Sequence, residues 1–311
     1  MREVIGLIGR EAMVEKAVGD LKKGRHVLFT GPAGVGKSSV LVGALAALGN
    51  CRTPPLSFFI DEIQPKAQFV DLARQLLAAG VVTPQALELA ERYHGMAPEE
   101  IEWAEIRRAV NRISIRDLAG AIVPAIHEHE GRILIAVDDL SDLTPTMGAF
   151  WTAILEQAQI TGCASARKRN LARLYWKLTE HPVPPLPENQ AKRVVIFYMA
   201  RTGMMVEDRR LFLGHVVKQA GGNPQAIADM LTDAGRERVV DRRKIREMAH
   251  AAGVVYLDFT PVVIICTAGI VGSRYLAMGT GDKALYILAG LAAAVLLSVR
   301  VFIFRGAGRA N

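Results

Sequence analysis

The stretch GPAGVGKSS, from Gly31 to Ser39, limits the fold more than any other part of this 311-residue chain. It sits between an apolar run, HVLFT, and an apolar helical pattern, VLVGALAAL. Glycine reaches backbone conformations closed to other residues, so Gly31, Gly34 and Gly36 let the chain curl until successive N–H groups converge. A helix starting at Lys37 adds the positive end of its dipole at the same point. The spacing G-x-x-x-x-G-K-S, with a strand before and a helix after, is that of a phosphate cradle. Gly31, Pro32, Ala33, Gly34, Val35, Gly36, Lys37, Ser38 and Ser39 are the expected phosphate-contacting residues. Lys37 would reach the β- and γ-phosphates, and the Ser38 hydroxyl would bind magnesium. ATP with Mg2+ is the expected ligand.

Such a site needs a carboxylate on the metal side. RILIAVDDL, from Arg132 to Leu140, supplies one. The continuous apolar run Ile133 to Val137 reads as a buried central strand. Asp138 then emerges at the C-terminal edge, where open α/β sheets hold their ligands. Asp138 is expected to hold magnesium through water, and Asp139 to orient or deprotonate the attacking water.

Further strands are expected at His26–Thr30, Leu56–Ile60 and Ile160–Ala164. Helices are expected at 10–23, 37–48, 67–79, 84–94, 98–110, 114–130 and 146–157, and helices dominate after that, with breaks at HPVPPLP and GGNP. Strands alternating with helices early, then helices alone, imply an α/β domain followed by a helical lid. Three cysteines, Cys51, Cys163 and Cys266, share no metal-like spacing and read as reduced thiols. The first sixteen residues lack a continuous apolar run, so no cleaved leader is expected.

With these motifs in place, the chain resembles P-loop ATPases of the AAA+ and STAND type (signal-transduction ATPases with numerous domains) over about Val4 to Asp233. IGREAMVEKAV resembles that group's lead-in, which lies near the adenine. ITGCASARK resembles the strand carrying the sensor-1 position. Arg167 matches it, with Ser165 as the alternative, and the resemblance makes Arg167 the sensor of the γ-phosphate. AGGNPQAI resembles the lid motif whose proline packs on adenine, and Pro224 is the match. The resemblance also implies a homo-oligomer. Asp139 stands where typical AAA+ motors carry Glu, and its side chain is about one methylene shorter, which favours slow hydrolysis or a switch. Arg107, Arg108 and Arg112 could supply an arginine finger or form a solvated helix face.

Half of the residues are hydrophobic, and the excess concentrates after Val254. Leu257–Leu276 and Ala284–Phe304 each fit the length of about 20 mostly apolar residues that crosses a bilayer core of about 30 Å. The formal charge is +7, and much of it sits between Arg236 and Arg246. The expected organisation is therefore a P-loop ATPase α/β core with a parallel sheet and helices on both faces over 1–182, and a helical lid over 183–234. A basic juxtamembrane helix would follow over 235–253, a two-helix transmembrane hairpin over 254–304 and a cytoplasmic tail over 305–311. Positive-inside bias would place both termini in the cytoplasm and the protein in the inner membrane, with anionic lipid headgroups against the basic segment. Protein partners in the cytoplasm or membrane are expected, and nucleic acid is the rival partner of that segment. Three roles compete: an ATPase serving an envelope machine for secretion, conjugation or phage assembly and export; a nucleotide-gated switch with a membrane effector hairpin; and a DNA-handling AAA+ ATPase.

Overall fold

The computed structural model describes residues 7–141, 143–166, 171–237, 239–248, 260–284 and 286–293. The chain divides into two compact units, Met1–Val254 and Val255–Asn311.

The first unit is built on five strands: β1 (Val27–Thr30), β2 (Leu56–Ile60), β3 (Ile133–Val137), β4 (Gln159–Ala164) and β5 (Thr179–Pro182). All pair in parallel, in the order β2-β3-β4-β1-β5. Parallel pairing needs crossovers, and helices supply them, so both faces of the sheet are covered. That is why β3 reads as an unbroken apolar run: all five of its residues are buried.

On one face lie α1 (Glu11–Lys22) and α2 (Lys37–Gly49). They bury Ala17, Leu21, Leu41 and Ala44 together with Phe29 of β1. The other face is covered by the segment between β2 and β4. It contains α3 (Pro65–Ala78), α4 (Trp103–Arg112), α5 (Ile115–Glu128) and α6 (Pro145–Ile154). Phe69 of α3 meets Phe150 of α6 at 4.3 Å between ring centres, and Phe150 meets Trp151 edge-on at 5.0 Å. Phe69 is fully buried at the centre of this layer. Phe69→Ala is therefore expected to cost about 3–5 kcal/mol of unfolding free energy in urea titration, through lost transfer energy and an unfilled cavity.

Edge strand β2 is closed by a side chain. Gln75 of α3 accepts from the Phe59 N–H at 3.2 Å and donates to its carbonyl at 2.7 Å. It takes the place a further strand would occupy. The opposite edge, β5, was hidden in the sequence, because TEHP carries no strand pattern and runs straight into the break HPVPPLP. Tertiary contacts make it a strand: His181 is buried, bonds Asp20 Oδ2 of α1 at 3.0 Å and meets Phe29 edge-on. Pro182 is tolerated because the strand is at the edge.

The helix expected over 84–94 is instead a run of turns closed by a 3-10 turn, Glu91–Tyr93, with Glu88 at φ 50°. Leu87 and Leu89 are both buried. Two residues apart on an α-helix they would face nearly opposite ways, so burial of both selects the turns.

After β4 comes α7 (Ala172–Trp176), and helices alone follow β5: α8 (Glu188–Thr202), α9 (Arg209–Ala220) and α10 (Pro224–Ala234), then a short α11 (Arg242–Glu247). Val194, Phe212, Val216, Ile227 and Leu231 give these helices a core of their own. Most described cations of the basic segment have carboxylate partners. Arg242 meets Asp208 at 3.3 Å, Arg243 meets Glu247 at 2.9 Å, and Lys244 meets Asp233 at 3.5 Å. Charges already paired attract an anionic surface less than the sequence count suggests.

The second unit contains α12 (Thr260–Thr280), which ends at a turn with Gly281 at φ 71°. Helical residues resume at Lys283. Arg274 lies over the Tyr286 ring and donates to its hydroxyl at 2.8 Å. The transmembrane hairpin expected here is corrected: among the described residues, no helix is long and apolar enough to cross a membrane. The apolar run of α12 is interrupted by Thr267, Gly269, Gly272, Ser273 and Arg274. Of the second expected span, 294–304 lies outside the described residues. The placement as a multi-pass inner-membrane protein with both termini in the cytoplasm rested on those spans and falls with them.

Candidate functional site

The sheet order brings the C-terminal ends of β1, β4 and β3 side by side. From these three ends come the glycine loop, Ser165, and the pair Asp138–Asp139. Residues far apart in sequence thus meet at one edge of the sheet, the usual position for ligands in this kind of architecture.

The loop has the backbone the sequence requires. Gly31, Gly34 and Gly36 adopt φ of 150°, 73° and 95°. At Gly31 a Cβ atom would lie 2.6 Å from the Val183 carbonyl oxygen, so no side chain fits there. Pro32, Ala33 and Gly34 form an exposed crest, while Val35 turns into the core beside Phe29 and Val40. Gly36 precedes α2, whose first turn carries Lys37, an exposed Ser38 and Ser39.

Lys37 is 8% exposed. Its ammonium donates to the carbonyls of Gly31 at 3.0 Å and Pro32 at 2.9 Å, and to Ser165 Oγ at 2.9 Å. Burial pushes its pKa below the ordinary lysine value, while the charges of Asp139 and Asp138 pull it back up. The lysine therefore feels both carboxylates. Behind it, burial pushes the Cys163 thiol up, so that cysteine is an inert part of the core.

The carboxylates differ in their surroundings. Asp138 is fixed to β2 by its N–H, which donates to Ile60 at 2.9 Å. Its Oδ1 is buried and has no hydrogen-bond partner. An orphaned carboxylate oxygen beside a glycine loop fits a hydrated magnesium ion, because such an atom otherwise carries an uncompensated desolvation cost. Asp139 Oδ1 instead accepts from the Ser141 N–H at 2.7 Å, closing a turn. Ser141 Oγ in turn accepts from the Ser165 N–H at 2.8 Å. Lys37, Ser165, Ser141 and Asp139 form a continuous hydrogen-bonded chain across three strand ends. Ser141, buried and central to it, carried no motif in the sequence. The turn is held from behind by Tyr175, whose hydroxyl donates to the Leu140 carbonyl at 2.8 Å.

Of the other expected residues, Pro224 is buried at the first position of α10, where its missing N–H costs nothing. Arg167 lies outside the described residues. The sequence also gave no measure of Arg10. This guanidinium is 3% exposed, and its Nη2 donates to the carbonyls of Val35 at 3.0 Å and Pro184 at 2.5 Å. Burial pushes its pKa down, yet an arginine stays charged at neutral pH. The only sequence signal was its place in the GRE lead-in.

No protein-family model and no curated protein matches this sequence. Among solved structures, the fold is similar to a Walker-type ATPase of Pyrococcus abyssi, at 14% identity and a TM-score of 0.46 over 90% of this chain and 77% of that one. It is also similar to the RuvB Holliday junction branch migration motor of Thermotoga maritima, at 12% identity and a TM-score of 0.44 over 89% and 84%. Likeness at this level carries no argument of its own. The parallel sheet order, the glycine loop between β1 and α2, and the acidic end of β3 themselves give the first unit a P-loop ATPase-like α/β core.

Proposed function

We propose that this chain binds ATP with magnesium at the Gly31–Ser39 loop, hydrolyses it slowly, and couples the nucleotide state to lid movement. The observation that carries this reading is the hydrogen-bonded chain from Lys37 through Ser165 and Ser141 to Asp139, with the unpartnered Asp138 oxygen beside it.

The loop N–H groups and the α2 N-terminus would take the β-phosphate. Lys37 would exchange its carbonyl contacts with Gly31 and Pro32 for β- and γ-phosphate oxygens. Ser38 and Asp138 are the residues that would hold magnesium, which when bound neutralises charge building on the phosphates. Ser165 already bonds the lysine and would report the γ-phosphate, the role the resemblance gave first to Arg167. Pro224 would lie against the adenine.

Asp139 supports slow turnover. One oxygen is committed to the Ser141 N–H, leaving one to orient a water. A site of this kind suits a switch that holds its nucleotide, which favours the STAND-type reading. Among the described residues no helix is long and apolar enough to cross a membrane, and nothing else supports the envelope-machine role.

Asp139→Asn tests the assignment. The amide oxygen still accepts from Ser141, so the turn persists and ATP affinity should change less than about threefold. Turnover should fall by about 100-fold or more, the usual scale for losing a general base. Unchanged phosphate release would remove Asp139 from the chemistry.

A further inference from the structure

Three consecutive carbonyls of the glycine loop are held from outside it. Asn223 Nδ2 donates to Ala33 at 2.9 Å, the Gln225 N–H donates to Gly34 at 3.2 Å, and Arg10 Nη2 donates to Val35 at 3.0 Å. In a planar trans peptide the carbonyl and the following N–H point in opposite directions. Fixing these three carbonyls therefore also fixes the directions of the N–H groups of Gly34, Val35 and Gly36, of which Val35's makes a long bond, 3.5 Å, to the Pro32 carbonyl. Successive N–H groups facing one way make an anion-binding nest.

Two of the three donors belong to the lid. Asn223 is the N-cap of α10: its Oδ1 accepts from the Gln225 and Ala226 N–H groups, while its Nδ2 is spent on the loop. The contact is tight, since a Cβ on Gly34 would lie 2.8 Å from Asn223 Oδ1. The third donor bridges to the lid as well, because the same Arg10 nitrogen reaches Pro184, at the entrance to the lid. Arg10 Nε is buried without a partner. Its charge therefore favours an anion nearby, and its position favours one loop shape.

We propose that Asn223 and Arg10 are positioning residues that set the N–H orientation of the phosphate loop from the lid side, so that lid displacement and phosphate release are one event. This rests on the ATP-binding reading above. The lid acts on the triphosphate through the loop backbone, without touching it. When α10 moves away, Ala33 and Gly34 lose their donors, their peptides can rotate, and a carbonyl turned inward repels phosphate. A partner that pulls on the lid would thereby discharge the nucleotide.

Asn223→Asp separates this role from helix capping. Aspartate keeps the acceptor oxygen that caps α10, removes the donor to Ala33, and sets a second oxygen against that carbonyl. Calorimetry on the full chain would compare magnesium pyrophosphate with magnesium ATP. The expected result is loss of affinity for both by about tenfold or more, in the same ratio, with the thermal midpoint nearly unchanged. Pyrophosphate has no base, so pyrophosphate binding at wild-type strength in Asn223→Asp overturns the proposal. Arg10→Lys keeps the charge but not the fork, and is expected to weaken pyrophosphate binding several-fold. Full retention would remove Arg10 from the proposal. If the wild-type chain binds neither ligand, the ATP-binding reading fails instead.

Discussion

Lys37→Ala is expected to abolish measurable ATP binding while leaving the fold intact. The ammonium makes three bonds, two to loop carbonyls and one to Ser165. In the nucleotide state the two carbonyl bonds would pass to phosphate oxygens. Charge-assisted bonds contribute about 1.5–3 kcal/mol each, so losing two corresponds to about 100-fold or more in affinity. Removing a buried ammonium also removes its desolvation cost, so the unliganded chain should not lose more than about 1 kcal/mol in chemical denaturation. Fluorescent-nucleotide titration with circular dichroism checks both parts. An unfolded variant would make the lysine a structural residue, and a variant that binds normally would leave it without a role.

Asp138→Asn should split stability from ligand affinity in opposite directions. The Oδ1 oxygen is buried and unpartnered, yet the backbone N–H holds its residue to β2. A neutral amide of the same shape relieves the buried charge, so the unliganded protein should be stabilised, by up to about 1 kcal/mol. Magnesium-dependent ATP affinity should fall by about tenfold or more, since a neutral amide is a poor partner for a hydrated divalent cation. ATP binding with EDTA present should change little. Destabilisation together with unaltered magnesium dependence would mean that Asp138 serves the strand end and not a metal.

What could be read from the sequence was what is local. The glycine loop states its own backbone geometry, and β3 announces itself by five buried apolar residues followed by two aspartates. The GGNP turn was visible because Asn223 caps the helix that Pro224 begins. What Asn223 does with its other end was not visible, since its partner Ala33 lies 190 residues away in sequence. The same holds for Arg10 and Pro184, and for Ser141, a lone serine until β3 and β4 are neighbours. β5 escaped because its strand character comes from His181 meeting Asp20 and Phe29, not from any alternation in TEHP. The error over 84–94 has the opposite origin: helical propensity was real there, but burial of both Leu87 and Leu89 overrode it. The hairpin expectation came from the length of two apolar runs after Val254. Length alone does not register how threonine, glycine, serine and Arg274 interrupt α12.

Calorimetric titration of the 311-residue chain with ATP and magnesium, run beside Lys37→Ala, tests nucleotide binding at the glycine loop most directly. Exothermic binding at a single site per chain is expected in the wild type, and no heat above dilution in the variant. No heat in the wild type, or equal heat in both proteins, would contradict it.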